Sequence, residues 1–173
     1  MQKVDTIFIV DDDATQSMML QDYLSKFPAF TTYTYASAEE AIKNLDKNPQ
    51  IVFLDYYFDK AENEAMNGLR ALKKIKELKP KTEVVMFSGQ DRIEVAVNSI
   101  KFGAFDYIVK SESAFHRSEN VIFNIIRNMK LKRDASLYKI LFYCFLVAFV
   151  ITMTIIVVLV KNGTINDNTP GWL

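Results

Sequence analysis

The 173-residue chain has one cysteine, Cys144, and one histidine, His116. One thiol permits no internal disulfide and no cysteine-based metal cluster. One imidazole excludes a multi-histidine metal site. Five glycines and four prolines are too few for a low-complexity or disordered chain. Neither sign of charge is in excess, with 21 basic against 21 acidic residues, so nothing global draws nucleic acid. The opening MQKVDTIFIVDDD does not read as a signal peptide, because its apolar stretch is four residues and three acids follow. The length suits one ordinary domain.

What is present divides in two. Residues 1–133 mix apolar and charged side chains as a water-facing domain does. Ile140–Val160 then reads ILFYCFLVAFVITMTIIVVLV, 21 positions without a charge. As a helix it would span roughly 30 Å, the thickness of a hydrocarbon core. A buried core helix fits less well, since such runs are usually shorter or amphipathic. Only Thr152 and Thr154 are polar, and their hydroxyls can bond back to the preceding turn. Arg127, Lys130, Lys132, Arg133 and Lys139 precede the run with Asp134 alone opposing them, and Lys161 follows it. By the positive-inside rule the N-terminal domain is cytoplasmic and the tail outside. The expected organisation is a soluble domain over 1–130, a basic juxtamembrane segment over 131–139, a transmembrane helix over 140–160 and a short external tail over 161–173. The small-residue pattern of close helix pairs is missing, as the run has no glycine.

The soluble part alternates short β-rich runs with helical periodicity. Strands are expected over Thr6–Val10, Phe30–Tyr35, Ile51–Leu54, Glu83–Phe87 and Asp106–Val109. Helices are expected over Thr15–Phe27, over a segment opened by a Ser37/Glu40 capping box and carrying Ala38, Ala41, Ile42 and Leu45, over one marked by Leu69, Leu72, Ile75 and Leu78, over Ile93–Phe102 with Gly103 as its C-terminal cap, and over Ser113–Arg133. No strong breaker separates the last helix from the apolar run. Strands each followed by a helix mean a parallel sheet covered on both faces.

In such a sheet ligands bind beyond the carboxyl ends of the strands. The residues there are Asp11 and Asp12 after the first strand, Asp55 after the third, Ser88 after the fourth and Lys110 after the fifth. Grouped carboxylates repel and raise one another's pKa. A hard cation such as Mg²⁺ removes that penalty with oxygen ligands and water. A carboxylate beside it can attack phosphorus and become an aspartyl phosphate. The added charge then calls for an ammonium and a hydroxyl donor, the chemistry of Lys110 and Ser88. Each feature alone is ordinary. An acidic pair, a Ser-Gly turn and a terminal lysine are usually solvated loop residues. Their coincidence at four of five strand ends carries the reading.

Over about residues 5–130 the chain resembles the receiver domain of two-component response regulators. IFIVDDD matches the acidic pair at Asp11 and Asp12, FLDYY the phosphoacceptor at Asp55, and VVMFSG the hydroxyl position at Ser88. GAFDYIVK matches the last strand, with Lys110 at its end and Tyr107 at the aromatic switch position. The resemblance implies a doubly wound, flavodoxin-like α/β fold with strand order 2-1-3-4-5. It implies Mg²⁺ held by Asp11, Asp12, Asp55 and the Tyr57 carbonyl, and phosphoryl transfer to Asp55 from a histidine kinase or a histidine phosphotransfer protein. It also implies a switch in which Ser88 and Tyr107 change the face made by the fourth helix, fifth strand and fifth helix. The chain would be no enzyme beyond its own phosphorylation and dephosphorylation.

The chain departs from the family in two places. Ser111 stands where the family has proline. The loop from Asp55 to Gly68 covers 13 positions, without the usual Met-Pro, and carries Asp59, Glu62 and Glu64. These departures favour an alternative, a receiver-like docking module that works at the membrane without phosphorylation. A Mg²⁺-dependent phosphatase is disfavoured because its usual general acid, two residues past the nucleophile, is here Tyr57. The expected location is the bacterial inner membrane. The anchor is expected to concentrate the receiver near a membrane sensor kinase. Pairing of receivers or contact with another membrane protein is the second use it allows. No nucleic-acid partner is expected.

Overall fold

The structure is a computed structural model and describes residues 5–58, 67–89 and 91–161. Strands β1 (Asp5–Val10), β2 (Phe30–Tyr35), β3 (Ile51–Leu54), β4 (Glu83–Ser88) and β5 (Asp106–Val109) alternate with helices α1 (Ala14–Ser25), α2 (Ala38–Lys43), α3 (Gly68–Leu78), α4 (Ile93–Lys101) and α5 (Ala114–Lys161). All strand pairs are parallel and the order is β2-β1-β3-β4-β5, the flavodoxin-like doubly wound arrangement.

The central strands are the uninterrupted apolar ones. Ile7–Val10 and Ile51–Leu54 are fully buried, as strands covered on both faces must be. The edge strand β2 is threonine-rich and half-exposed, and its Tyr33 and Tyr35 rings pack edge-on against Phe8. Side chains alternate between two cores. Phe8, Val10, Val52, Leu54, Val84 and Met86 meet Ala38, Ala41, Ala71, Leu72 and Ile75 of α2 and α3. The intervening residues belong to the other face, where Leu20 and Leu24 of α1 and Val121, Ile122 and Ile125 of α5 are buried. There Phe87 joins Phe53 to Phe115, and Phe115 stacks on Tyr23 of α1.

Helix ends differ from the sequence expectation for local reasons. α1 stops at Ser25 rather than Phe27, because the residue before Pro28 is pushed out of the helical region. α2 ends at Lys43, and Leu45 lies in a 3₁₀ turn, Leu45–Lys47. Asn48 then takes a left-handed conformation (φ 51°) ahead of Pro49. In α3 the buried face is Gly68, Ala71, Leu72 and Ile75, whereas Leu78 is exposed. Half of the expected capping box forms, with the Glu40 N–H donating to Ser37 Oγ at 3.2 Å. Gly103 closes α4 at φ 96°, a conformation that suits glycine.

The chain divides into two compact units, residues up to Ile126 and residues from Arg127. In the second, α5 continues to Lys161, and its apolar stretch is exposed throughout. Among the described residues this is one helix long and apolar enough to cross a membrane, by length and composition. The Thr152 and Thr154 hydroxyls donate to the Phe149 and Ile151 carbonyls at 2.8 and 2.7 Å. Asp59, Glu62 and Glu64, and the tail from residue 162, lie outside the described residues.

Candidate functional site

The parallel ladder sets the expected residues side by side. The Asp55 N–H donates to the Val10 carbonyl at 2.9 Å, so Asp55 emerges next to Asp11. The Lys110 N–H donates to the Ser88 carbonyl at 2.8 Å, so those two are also neighbours. Asp11 and Asp55 are buried, and Asp12 is exposed. One carboxylate oxygen from each of Asp11, Asp12 and Asp55 lies within 4.8 Å of the others.

Lys110 links the two buried acids. Its Nζ lies 2.6 Å from Asp11 Oδ2 and 3.1 Å from Asp55 Oδ2. The opposite oxygens are held by the backbone. The Asp13 N–H donates to Asp11 Oδ1 at 3.1 Å, and the Tyr56 N–H donates to Asp55 Oδ1 at 2.6 Å. Burial raises the Asp11 pKa, and the Asp55 charge adds to it while Lys110 opposes it. For Lys110, burial works downward, but the hydrogen bonds and charges of Asp11 and Asp55 outweigh it and leave the ammonium pKa raised. Among the described residues the site therefore has one cation for two buried carboxylates and a third acid at its mouth. An all-oxygen donor set with excess negative charge fits a hard divalent cation such as Mg²⁺.

Ser88 and Tyr107 are both buried and meet through a hydrogen bond between their side chains. Burial raises the Tyr107 pKa, and the Asp55 charge adds to it. The expected switch pair is therefore one connected unit at the edge of the carboxylate cluster. Tyr57 is half-buried, and its ring packs edge-on against Tyr56 at 4.6 Å. Ser111 does not displace the lysine. Lys110 reaches both acids, no cis peptide occurs among the described residues, and the Ser111 carbonyl accepts from the Ala114 N–H at the start of α5. His116 is exposed, 3.6 Å from Glu119.

The sequence reading passed over three contributors. Gly68 donates its N–H to the Tyr56 carbonyl at 3.0 Å, and a Cβ there would lie 2.2 Å from the Asp55 carbonyl oxygen. Only a residue without a side chain lets α3 start so close to the Asp55 backbone. Asp13, read as one acid among three, caps α1 by accepting from the Thr15 and Gln16 N–H groups. Phe87 places its ring 5.8 Å from Lys110 Nζ. Gly68 was visible only as the end of an Asn-Gly loop, and Asp13 as a possible cap three residues into an acidic run.

Residues 7–118 match the family described as the response regulator receiver domain. The chemotaxis protein CheY of Thermotoga maritima is 31% identical over 105 residues, 60% of this chain and 83% of that protein. NtrX from Brucella abortus superposes with a TM-score of 0.67 at 33% identity, covering 76% of this chain and 29% of that one. A chain of the CheX–CheY–BeF₃–Mg²⁺ complex from Borrelia burgdorferi superposes with a TM-score of 0.62 at 25% identity, over 70% of this chain and 89% of that one. The chain spans between 26% and 30% of the length of the first curated regulators it matches. The receiver-domain match over residues 7–118 covers more than half of the sequence, and the chain belongs to the response regulator receiver domain family of two-component systems.

Proposed function

We propose that this receiver takes a phosphoryl group from phosphohistidine onto Asp55 while anchored in a membrane by residues 140–160. The donor is a histidine kinase or a histidine phosphotransfer protein. The observation that carries the reading is the setting of Asp55. Its carboxylate is buried, oriented by the Tyr56 N–H and Lys110, and within 4.8 Å of two further acids.

Asp55 Oδ attacks phosphorus, the phosphorus–nitrogen bond of the donor breaks, and the leaving imidazole takes up a proton. Lys110, now shared between Asp11 and Asp55, holds a phosphoryl oxygen of the product. Asp11, Asp12, Asp55 and the Tyr57 carbonyl are the residues that would hold Mg²⁺. When bound, Mg²⁺ offsets the charge of these acids and of the phosphoryl oxygens. Ser88 donates its hydroxyl to the phosphoryl group and leaves Tyr107, whose ring moves into the vacated space. The two packings differ at the face of α4, β5 and α5, so phosphorylation shifts the population between them. The chemistry proposed for this receiver is gaining and losing this group.

The apolar stretch of α5 and its basic N-terminal flank support an inner-membrane location with the receiver cytoplasmic. Tethering raises the receiver's effective concentration near a membrane kinase or a membrane-protein target. Full-length protein in detergent micelles, incubated with acetyl phosphate and Mg²⁺, should gain one phosphoryl group by intact mass. Asp55→Asn should gain none. Equal labelling of the variant would overturn the assignment. A wild type that neither labels nor binds Mg²⁺ or beryllofluoride would favour phosphorylation-independent docking.

A further inference from the structure

Arg127, Lys130, Lys132, Arg133 and Lys139 have no part in the phosphoacceptor site, yet they concentrate charge of one sign on one stretch of helix. All five are exposed, and Asp134 is the sole acid among residues 127–139. The Arg133–Asp134 contact is long, at 3.9 Å. We infer that this segment is a binding site for anionic phospholipid headgroups. The inference rests on the membrane reading of residues 140–160.

The spacing fits a headgroup layer. Lys139 immediately precedes the apolar run. Arg133, Lys132 and Lys130 stand about 9, 10 and 14 Å further back along the axis, at 1.5 Å per residue. The polar layer on one side of a bilayer is about 5–8 Å deep, and an anionic surface acts over about one further Debye length, roughly 8 Å at physiological salt. Lys139 therefore lies in the headgroups and the next three cations lie within the field above them. Tyr138, 72% exposed, sits beside Lys139 at the level where amphipathic rings settle.

The angular distribution separates a lipid surface from a protein or nucleic-acid partner. At about 100° per residue the four cations within reach of the surface spread over about half of the helix circumference. A partner docking from one side would engage one stripe and leave the rest unmatched. A plane of headgroups surrounds the helix and meets every direction.

The test uses the full chain reconstituted in phosphatidylcholine bilayers with trace spin-labelled lipid. Electron paramagnetic resonance gives the share of label held against the protein. Labelled phosphatidylglycerol should associate about two- to fivefold more strongly than labelled phosphatidylcholine at low salt, with the preference approaching unity at high salt. The variant K130Q/K132Q/R133Q/K139Q, which keeps good helix formers, should lose the preference, and Asp134→Asn should increase it. Equal association of both lipids with wild type, or an unchanged preference in the fourfold variant, would overturn the inference. The anchor reading fails separately: if neither label is immobilised and the protein washes off the bilayers at alkaline pH, residues 140–160 do not span the membrane.

Discussion

Replacing Lys110 by methionine tests whether the site is held together by opposite charge. The substitution keeps an apolar stem of similar reach and removes the ammonium. Lys110 contacts Asp11 at 2.6 Å and Asp55 at 3.1 Å, and its side chain is only 14% exposed, so solvent screens the pair weakly. The two contacts have gross attractions of about 6 and 5 kcal/mol at an effective dielectric constant near 20. Most of this is offset by the cost of burying the charges. Removing one partner of a buried pair costs about 3–5 kcal/mol, because the remaining charge is left uncompensated. Lys110→Met should therefore lower stability by about 3 kcal/mol in EDTA. For a unit of this size that is a fall of about 10 °C in Tm.

Saturating Mg²⁺ should recover much of that loss, because a divalent cation at the same carboxylates replaces the missing charge. The pH dependence has a definite sign. Asp11 already has a raised pKa in the folded state through burial. Without Lys110, which opposes that rise, Asp11 holds its proton more tightly still. The folded state then binds more protons than the unfolded one through the carboxylate range, so the variant's stability falls as pH rises and its deficit shrinks toward acid. Thermal unfolding of the receiver unit in the full chain, followed by near-ultraviolet circular dichroism with EDTA or Mg²⁺, gives these values. A variant within about 0.5 kcal/mol of wild type in EDTA, or one equally destabilised with and without Mg²⁺, would refute the electrostatic account.

Two further predictions concern residues outside the charge cluster. Gly68→Ala would bring a Cβ to 2.2 Å from the Asp55 carbonyl and 2.7 Å from Tyr56 Cα, backbone atoms that cannot rotate aside. It should cost about 1–3 kcal/mol and slow phosphorylation by tenfold or more. Wild-type stability and labelling would contradict the close packing. Tyr23 donates to Glu119 at 2.6 Å, and this hydrogen bond is the main cause of its raised pKa. Its contribution is complete below the ordinary phenol pKa and is lost as pH rises through the folded value. NMR titration with ¹³C-labelled tyrosine should show Glu119→Gln returning Tyr23 toward its ordinary value. No change on substitution would exclude the bond.

The fold was legible where one local rule settled the outcome. IFIV and IVFL could only be strands buried on both faces, and the placement of charge after each of them located the site edge. Gly103 was readable as a cap because its position needed a positive φ. The features missed depend on proximity across the chain. Nothing near Gly68 in sequence announces that α3 begins against the Asp55 backbone. Nothing near Lys110 says that it holds Asp11 more closely than Asp55, even though the strand order sets β5 nearer to the strand that ends at Asp55. Asp13 was masked by its neighbours, since three consecutive acids suggest a single use while the chain divides them between ion pairing and capping. Helix lengths slipped at Phe27, where Pro28 acts one residue ahead of itself, and after Lys43, where Leu45–Lys47 form a 3₁₀ turn instead.

The most direct test of the central claim is chemical trapping at Asp55. Full-length protein phosphorylated by acetyl phosphate or a histidine kinase in Mg²⁺ should be reduced with borohydride and mapped by tandem mass spectrometry. An aspartyl phosphate at Asp55 is reduced to homoserine, so the account predicts homoserine at position 55 alone, lost when EDTA replaces Mg²⁺. Homoserine at Asp11 or Asp12, or a phosphoryl group that resists reduction and sits on another side chain, would contradict it.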